Sequence, residues 1–271
     1  MGTAKRERQK ANRAKAREQR IKRQRMNKVR RRGLVFGVGI PLAVVALFAI
    51  SQLVGGDDTA TAPSDDTTAE ISTPTTVPGD EITGETPCPK TDGTERRVTT
   101  FEQAPPTCID PAKSYTATFD TSEGTIVVDL DTEKTPGTVN NFVVLSRYKY
   151  YDGTYIFRTD TSIDIIQGGG EDNTDGPGYV IEDEGDKFTY TEGDLVMARS
   201  SGPDSGGGQF FFAAGPNVSL LDGQGTYVTF GKVSEGLDVV KAILALNAGE
   251  GDLGGAPSRT VEIRTVTIAE K

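Results

Sequence analysis

Hydrophobic and polar residues follow regular periods through the second half of the chain. Alternation over residues 114–120, followed after a Ser-Glu-Gly turn by the apolar-rich residues 125–131, predicts a β-hairpin. Residues 136–146 and 234–246 space their apolar positions as on one face of a helix, and a proline suited to a first turn opens the first of them. Short apolar runs separated by glycines lie between the helices, and residues 260–269 alternate again. Many short strands with two helices predict a mainly β fold, a closed and mostly antiparallel barrel.

A different pattern occupies residues 33–54, where 22 consecutive positions carry no charge. A helix that rises ~1.5 Å per residue crosses a ~30 Å hydrocarbon core over such a length, so a single transmembrane helix is predicted. The alternative is a cleaved secretory signal, although the preceding basic region is longer than usual and no small-residue cleavage site follows cleanly. The positive-inside rule leaves residues 1–32 in the cytoplasm and the rest of the chain outside.

The net charge of −9 hides two opposite parts of the chain. Residues 1–32 carry 15 basic side chains and two acidic ones, whereas the remaining residues are strongly acidic. This basic tail can enforce membrane topology and contact anionic lipid, bind nucleic acid, or bind a protein. No aromatic residue precedes Phe36 to stack on bases, so lipid contact is the preferred interpretation and no nucleic acid is expected.

Residues 55–112, between the membrane segment and the patterned region, are predicted to form a disordered stalk that contains a cysteine clasp. Residues 55–87 are rich in Thr, Asp, Pro and Gly, which predicts a disordered stalk. Cys88 and Cys108 follow, and an extracytoplasmic location favours a disulfide between them over two free thiols. The bridge is predicted to form a clasp at the entrance to a domain that spans residues 113–271.

Composition removes many kinds of chemistry. The chain has no histidine and no tryptophan, and it has two cysteines. These numbers exclude Ser-His and Cys-His catalytic pairs, His-ligated metals and a four-cysteine zinc site. Neither a metal nor a cofactor is therefore expected.

From about residue 114 to the C-terminus the chain resembles the cyclophilins, a family of peptidyl-prolyl isomerases. The matching stretches occur in the family's order: FDTSEGTIVVDLD, TVNNFVVL, YYDGTYIFR, IIQGGG, GDLVMA, GGGQFFF, LLDG and VTFGKVSEGLDVV. The resemblance implies an eight-stranded antiparallel barrel capped by two helices, with a surface groove that binds an extended Xaa-Pro peptide. Because neither cysteine lies in these motifs, loss of the bridge is expected to leave activity mostly unchanged.

The reaction implied by the resemblance suits a chain without histidine. Rotation about a peptide bond has a barrier of ~18–20 kcal/mol, and no bond is made or cut. A guanidinium can donate a hydrogen bond to the imide nitrogen as that nitrogen loses conjugation. Arg158 occupies the family's catalytic arginine position when counted from Gly153, whereas counting back from Gln167 reaches Thr159. Arg158 is preferred as the catalytic residue, and one residue is then inserted before Gln167.

The other implied site residues lie in the later motifs. Gln167 and Gln209 match the two glutamines that orient the arginine and contact the substrate, and Phe211 matches the floor of the proline pocket. The remaining implied substrate-binding residues are Ile165, Ala198, Arg199, Leu220, Leu221 and Tyr227.

Three positions depart from the common family pattern. Leu220 stands where some members carry tryptophan, and Arg199 replaces a common asparagine. The insertion makes either Ile163 or Asp164 the residue that replaces a wall phenylalanine, and Ile163 suits an apolar wall better.

The sequence thus predicts a membrane-anchored bacterial prolyl isomerase that assists the folding of extracytoplasmic proteins. Its partners would be Xaa-Pro segments of unfolded or exported chains. The alternative is a cyclophilin-like module that binds proline-containing segments with little or no turnover.

Overall fold

The computed structural model describes residues 78–249 and 254–271. Within these ranges the strands are β1 (Asp80–Ile82), β2 (Val98–Phe101), β3 (Tyr115–Thr121), β4 (Gly124–Leu130), β5 (Thr154–Asp160), β6 (Ile165–Gly170), β7 (Asp194–Arg199), β8 (Gly206–Ala213), β9 (Thr229–Glu235), β10 (Asn247–Ala248), β11 (Ala256–Pro257) and β12 (Glu262–Glu270). The helices are α1 (Pro136–Arg147), a 3₁₀ helix (Pro216–Leu221) and α2 (Leu237–Leu244).

Eight of the strands form a closed barrel in the order β12-β3-β4-β9-β7-β8-β6-β5. Neighbouring strands are antiparallel, and β12 closes the barrel because it pairs with β3 along its length and with β5 at its start. The predicted hairpin is β3 and β4, which pair from Tyr115 with Leu130 to Thr121 with Gly124. The mainly β, closed antiparallel architecture is therefore confirmed.

The barrel interior is filled by aromatic side chains. Phe119, Phe142, Phe210 and Phe212 are all buried, and the Phe119 ring lies 5.4 Å and 5.2 Å from the rings of Phe210 and Phe212. Phe142 comes from α1, so this helix packs its apolar face against the barrel core. Edge-to-face contacts between such rings add to the stabilisation from burying their apolar area.

Helix α2 is shorter than predicted. The expected start at Ser234 is wrong, because β9 continues to Glu235, which pairs with Val127 of β4. Gly236 then turns the chain with a left-handed φ of 81°, and a Cβ there would lie only 2.2 Å from the Thr125 carbonyl oxygen. The helix therefore begins at Leu237, directly after a position that requires glycine.

The described part of the predicted stalk is packed against the barrel rather than disordered. We call residues 78–112 the entrance segment. It contains the short parallel pair β1 and β2, and it buries Val98, Phe101 and Ile109 in the main core. The segment also contains the Cys88–Cys108 disulfide, with an S–S length of 2.08 Å. Buried apolar side chains and the disulfide thus hold a segment that its polar composition assigned to a stalk.

The predictions for the basic tail, the transmembrane helix and residues 55–77 lie outside the described residues. Among residues 78–249 and 254–271, no helix is long and apolar enough to cross a membrane.

Candidate functional site

A small apolar cluster lies on the outer face of the barrel, separate from the main core. We call it the outer cluster. Its buried members are Ile165, Tyr190, Val196, Ala198, Phe211, Ala213 and Val218, with Ile163, Phe188, Leu221 and Tyr227 packed against them. Strand β8 connects it to the core, because alternate side chains of a strand point to opposite faces. Phe210 and Phe212 point into the barrel, and Phe211 points out.

A chain of hydrogen bonds runs beside this cluster. The Arg158 Nη1 atom donates to Gln167 Oε1 at 2.8 Å, and Gln167 Nε2 donates to Gln209 Oε1 at 2.9 Å. Strand register explains the contact, because Arg158 pairs with Gln167 across β5 and β6, and Gln167 pairs with Phe211 across β6 and β8. The three residues that the resemblance assigns to catalysis therefore lie together, next to the predicted proline pocket.

The register also distinguishes Arg158 from its neighbour Thr159. An irregularity between Ile156 and Arg158 allows Ile156 to stay in the core while Arg158 turns toward Gln167. Thr159 is fully buried, and its hydroxyl lies 2.6 Å from Asn247 Oδ1. Of the two positions, Arg158 is the one that reaches the outer cluster's rim.

Arg158 has a second partner that the family motifs do not include. Its Nη2 atom lies 2.7 Å from Asp160 Oδ2, and the side chains of Arg158 and Asp160 are 23% and 9% exposed. Asp160 Oδ1 also accepts hydrogen bonds from the amide and the hydroxyl of Ser162. Burial opposes ionisation, but the bonds from Ser162 and Arg158 outweigh it and hold the pKa of Asp160 below its ordinary value. The carboxylate is therefore charged at neutral pH and orients the guanidinium.

The inserted residue is accommodated just before β6. Asp164 has a left-handed φ of 50°, and its carboxylate accepts a hydrogen bond from the Asn217 amide at 2.8 Å. Ile163, in contrast, packs against the outer cluster. Ile163, the residue preferred from the sequence for the apolar wall, therefore lies beside the cluster, whereas Asp164 caps the start of the 3₁₀ helix.

The opposite side of the cluster is formed by an arginine and two tyrosines. The Arg199 guanidinium lies 4.5 Å from the centre of the Tyr227 ring and bonds Asp183 and Thr226. The Tyr227 ring contacts Phe211 edge-on at 5.8 Å. Tyr190, which the sequence analysis missed, exchanges hydrogen bonds between its hydroxyl and the Tyr227 backbone, and burial raises the pKa of Tyr190 to about 12. Together these contacts hold the Tyr227 ring against Phe211.

Of the predicted binding residues, Ile165, Ala198, Phe211, Leu221 and Tyr227 belong to the outer cluster or pack against it, and Arg199 contacts its rim. Leu220 does not join them, because its side chain is 68% exposed at the end of the 3₁₀ helix. The sequence analysis missed Val196. It lies two residues before Ala198 on β7, and the period of two of a strand, which places both on one face, could have indicated it. Tyr190 carries no comparable signal, because it lies outside any strand.

Comparison with known proteins agrees with this geometry. Residues 116–268 match the model of the family described as cyclophilin type peptidyl-prolyl cis-trans isomerase/CLD. The chain therefore belongs to the cyclophilin family and is a peptidyl-prolyl cis–trans isomerase.

Bacterial relatives carry the same description. Peptidyl-prolyl cis-trans isomerase B of Bacillus subtilis is 39% identical over 132 residues, which cover 47% of this chain and 85% of that protein. Peptidyl-prolyl cis-trans isomerase cyp18 of Streptomyces antibioticus is 37% identical over 146 residues, which cover 49% and 86%.

A solved structure shares the fold. The crystal structure of a Cryptosporidium parvum cyclophilin type peptidyl-prolyl cis-trans isomerase aligns over 58% of this chain and 99% of its own, with a TM-score of 0.50 and 24% identity. At 24% identity this match supports the shared barrel fold and nothing more specific.

Proposed function

We propose that this isomerase is anchored in a membrane and acts on Xaa-Pro bonds of unfolded or exported proteins outside the cytoplasm. In this proposal the proline ring lies on Phe211, and Arg158 donates a hydrogen bond to the imide nitrogen. The observation that carries the catalytic part is the position of Arg158, whose two terminal nitrogens bond Gln167 and Asp160 beside the outer cluster.

The site's chemistry follows from this arrangement. Conjugation between the imide nitrogen and the carbonyl must be lost for the bond to rotate. A nitrogen that has lost conjugation is a better hydrogen-bond acceptor, so a donor at that place stabilises the transition state more than the ground state. Because two of its contacts hold the guanidinium in place, little reorganisation is needed when the substrate reaches the transition state.

A protease-coupled assay on a short Xaa-Pro peptide tests the catalytic part. The full-length protein should accelerate an isomerisation that takes ~10–100 s unassisted at 25 °C. Binding of the peptide without acceleration would favour a binding module and overturn the catalytic role.

The location outside the cytoplasm is supported by the uncharged run at residues 33–54, the basic tail before it and the disulfide in the entrance segment. Disulfides persist mainly in oxidising compartments. In a bacterial host that expresses the full-length chain, the protein should remain in the membrane fraction. Protease added to intact spheroplasts should digest the domain, while a cytoplasmic marker stays whole. Protection of the domain equal to that of the marker would overturn the proposed location.

A further inference from the structure

The catalytic hydrogen-bond chain continues beyond Gln209 into a loop. We call residues 171–178 the Gln209 loop. The Gln209 Nε2 atom donates to the carbonyl oxygens of Asp172 and Asp175, at 3.0 Å and 2.7 Å. Because Gln209 Oε1 accepts from Gln167, and Gln167 bonds Arg158, a shift of this loop would be transmitted to the guanidinium. The position of the Gln209 loop thus bears on the catalytic geometry.

The end of the Gln209 loop is held by the entrance segment. The Phe101 amide donates to the Pro177 carbonyl oxygen at 2.7 Å. Gly178 has a φ of 105°, and a Cβ there would lie 2.4 Å from the Phe101 carbonyl oxygen, so the two backbones touch. Such an approach requires glycine. The backbone amide and the carbonyl oxygen of Phe101 therefore both contact the Pro177–Gly178 part of the loop.

The Phe101 side chain fixes that backbone in place. Its ring is fully buried and meets the rings of Tyr148 and Tyr179 edge-on at 5.3 Å and 6.1 Å. The segment around it is bonded at several points: Ile82 pairs with Phe101 across β1 and β2, and the Tyr148 hydroxyl donates to the Pro87 carbonyl oxygen at 2.7 Å. The Cys88–Cys108 disulfide encloses β2 and so restrains this whole stretch.

We propose that the entrance segment is a positioning element of the isomerase site, with Phe101 as its positioning residue, acting on Gln209 through residues 171–178. The proposal rests on the proposed role of Arg158 and its glutamines. The entrance segment precedes residues 116–268, the part of the chain that matches the family. The proposal also differs from the expectation based on motifs alone, under which loss of the disulfide leaves activity mostly unchanged.

The first test compares two truncations within the same segment. Phe101→Ala removes the ring beside the Gln209 loop, and Ile109→Ala is the matched control, since the Ile109 amide bonds Asn140 on α1 instead. Phe101→Ala should lower kcat by about threefold to tenfold, a range usual for residues that act through a contact network, with KM little changed. Phe101→Leu should recover most of the loss, and Ile109→Ala should leave kcat near wild type.

A spectroscopic measurement separates positioning from simple destabilisation. The side-chain amide resonances of Gln209 should shift in Phe101→Ala and stay in place in Ile109→Ala, both measured on folded full-length protein. Unshifted Gln209 resonances and unchanged kcat in Phe101→Ala would overturn the proposal.

If Phe101→Ala does not fold, removal of the disulfide tests the same proposal. The double variant Cys88→Ser/Cys108→Ser should expose the entrance segment to limited proteolysis and lower kcat to a similar degree. Proteolytic release of the segment with full turnover would overturn the proposal. Failure of the proposed function would look different, because Arg158→Ala would then keep wild-type turnover whatever the state of the entrance segment.

Discussion

Replacement of Arg158 by alanine should abolish most of the catalysis while leaving the barrel folded. The guanidinium is held through Nη1 by Gln167 at 2.8 Å and through Nη2 by Asp160 at 2.7 Å, so it is a preorganised donor. Loss of one such donor typically costs ~10²–10³-fold in turnover, or ~3–4 kcal/mol of transition-state stabilisation. Arg158→Lys should not restore activity, because a single ammonium cannot keep both contacts and the fork geometry.

The same substitution should also lower the free energy of unfolding. It leaves the Asp160 carboxylate, whose side chain is 9% exposed, with Ser162 but without its cation. Removal of one partner of a buried polar contact costs about 1–3 kcal/mol, which urea unfolding of the variant can measure. Turnover should therefore be compared at a temperature where both proteins are fully folded.

The assay is protease-coupled cleavage of an Xaa-Pro peptide at low temperature, where the uncatalysed reaction takes minutes. Arg264→Ala is a suitable control, because Arg264 forms an ion pair with Asp120 in which both side chains are about half exposed. Thr159→Val tests the alternative alignment and should keep turnover near wild type. Wild-type turnover in folded Arg158→Ala would refute the assignment of the donor.

Three further predictions concern the pocket, the groove edge and acid stability. Phe211→Ala removes the predicted pocket floor and should raise KM for Xaa-Pro peptides on the order of tenfold or more, since burying a side chain of this size contributes about 1.5–3 kcal/mol. Steady-state kinetics measure KM, and an unchanged KM would place the proline elsewhere. Leu220 stands where some family members carry a tryptophan whose indole N–H donates a hydrogen bond to cyclosporin-type cyclic peptides. Such peptides should therefore inhibit this protein weakly, and Leu220→Trp should tighten inhibition ~10–100-fold in a titration under the same assay. Equal, tight inhibition of both proteins would contradict the alignment at Leu220. Hydrogen bonds from Arg147 and Lys113 lower the pKa of Glu270, so this carboxylate stabilises the fold above the ordinary glutamate value and loses that contribution as the pH falls through its depressed pKa. Urea unfolding between about pH 6 and pH 3 should show a steeper loss of stability for wild type than for Glu270→Gln, and parallel curves would contradict it.

The sequence predicts the barrel well because its signals are local. Alternation marks β3, a short turn and an apolar-rich run mark β4, and the spacing of Val139, Phe142 and Val143 marks α1. The outward position of Phe211 follows from the period of two in β8. Each of these features is determined by neighbouring residues, so a reader of the chain can find it without knowledge of the tertiary structure.

The features that the sequence analysis missed depend on residues far apart in the chain. Phe101 is an isolated apolar residue in a polar stretch, and its partners Tyr148 and Tyr179 lie 47 and 78 positions further along the chain. Asp160, the second partner of Arg158, is a different case, because residues two apart on a strand share a face and the acid was a possible partner from the sequence alone.

The closure of the barrel has a consequence for a protein that handles unfolded chains. Unfolded segments present unpaired backbone amides and carbonyls, and they readily add to the free edge of a sheet. In the ring β12-β3-β4-β9-β7-β8-β6-β5 every strand has a neighbour on both sides, so these eight strands offer no edge for a client to extend. On these eight strands a client can then be held only through side-chain contacts and a few hydrogen bonds at the outer face. Such contacts release the chain easily, and they do not template its aggregation.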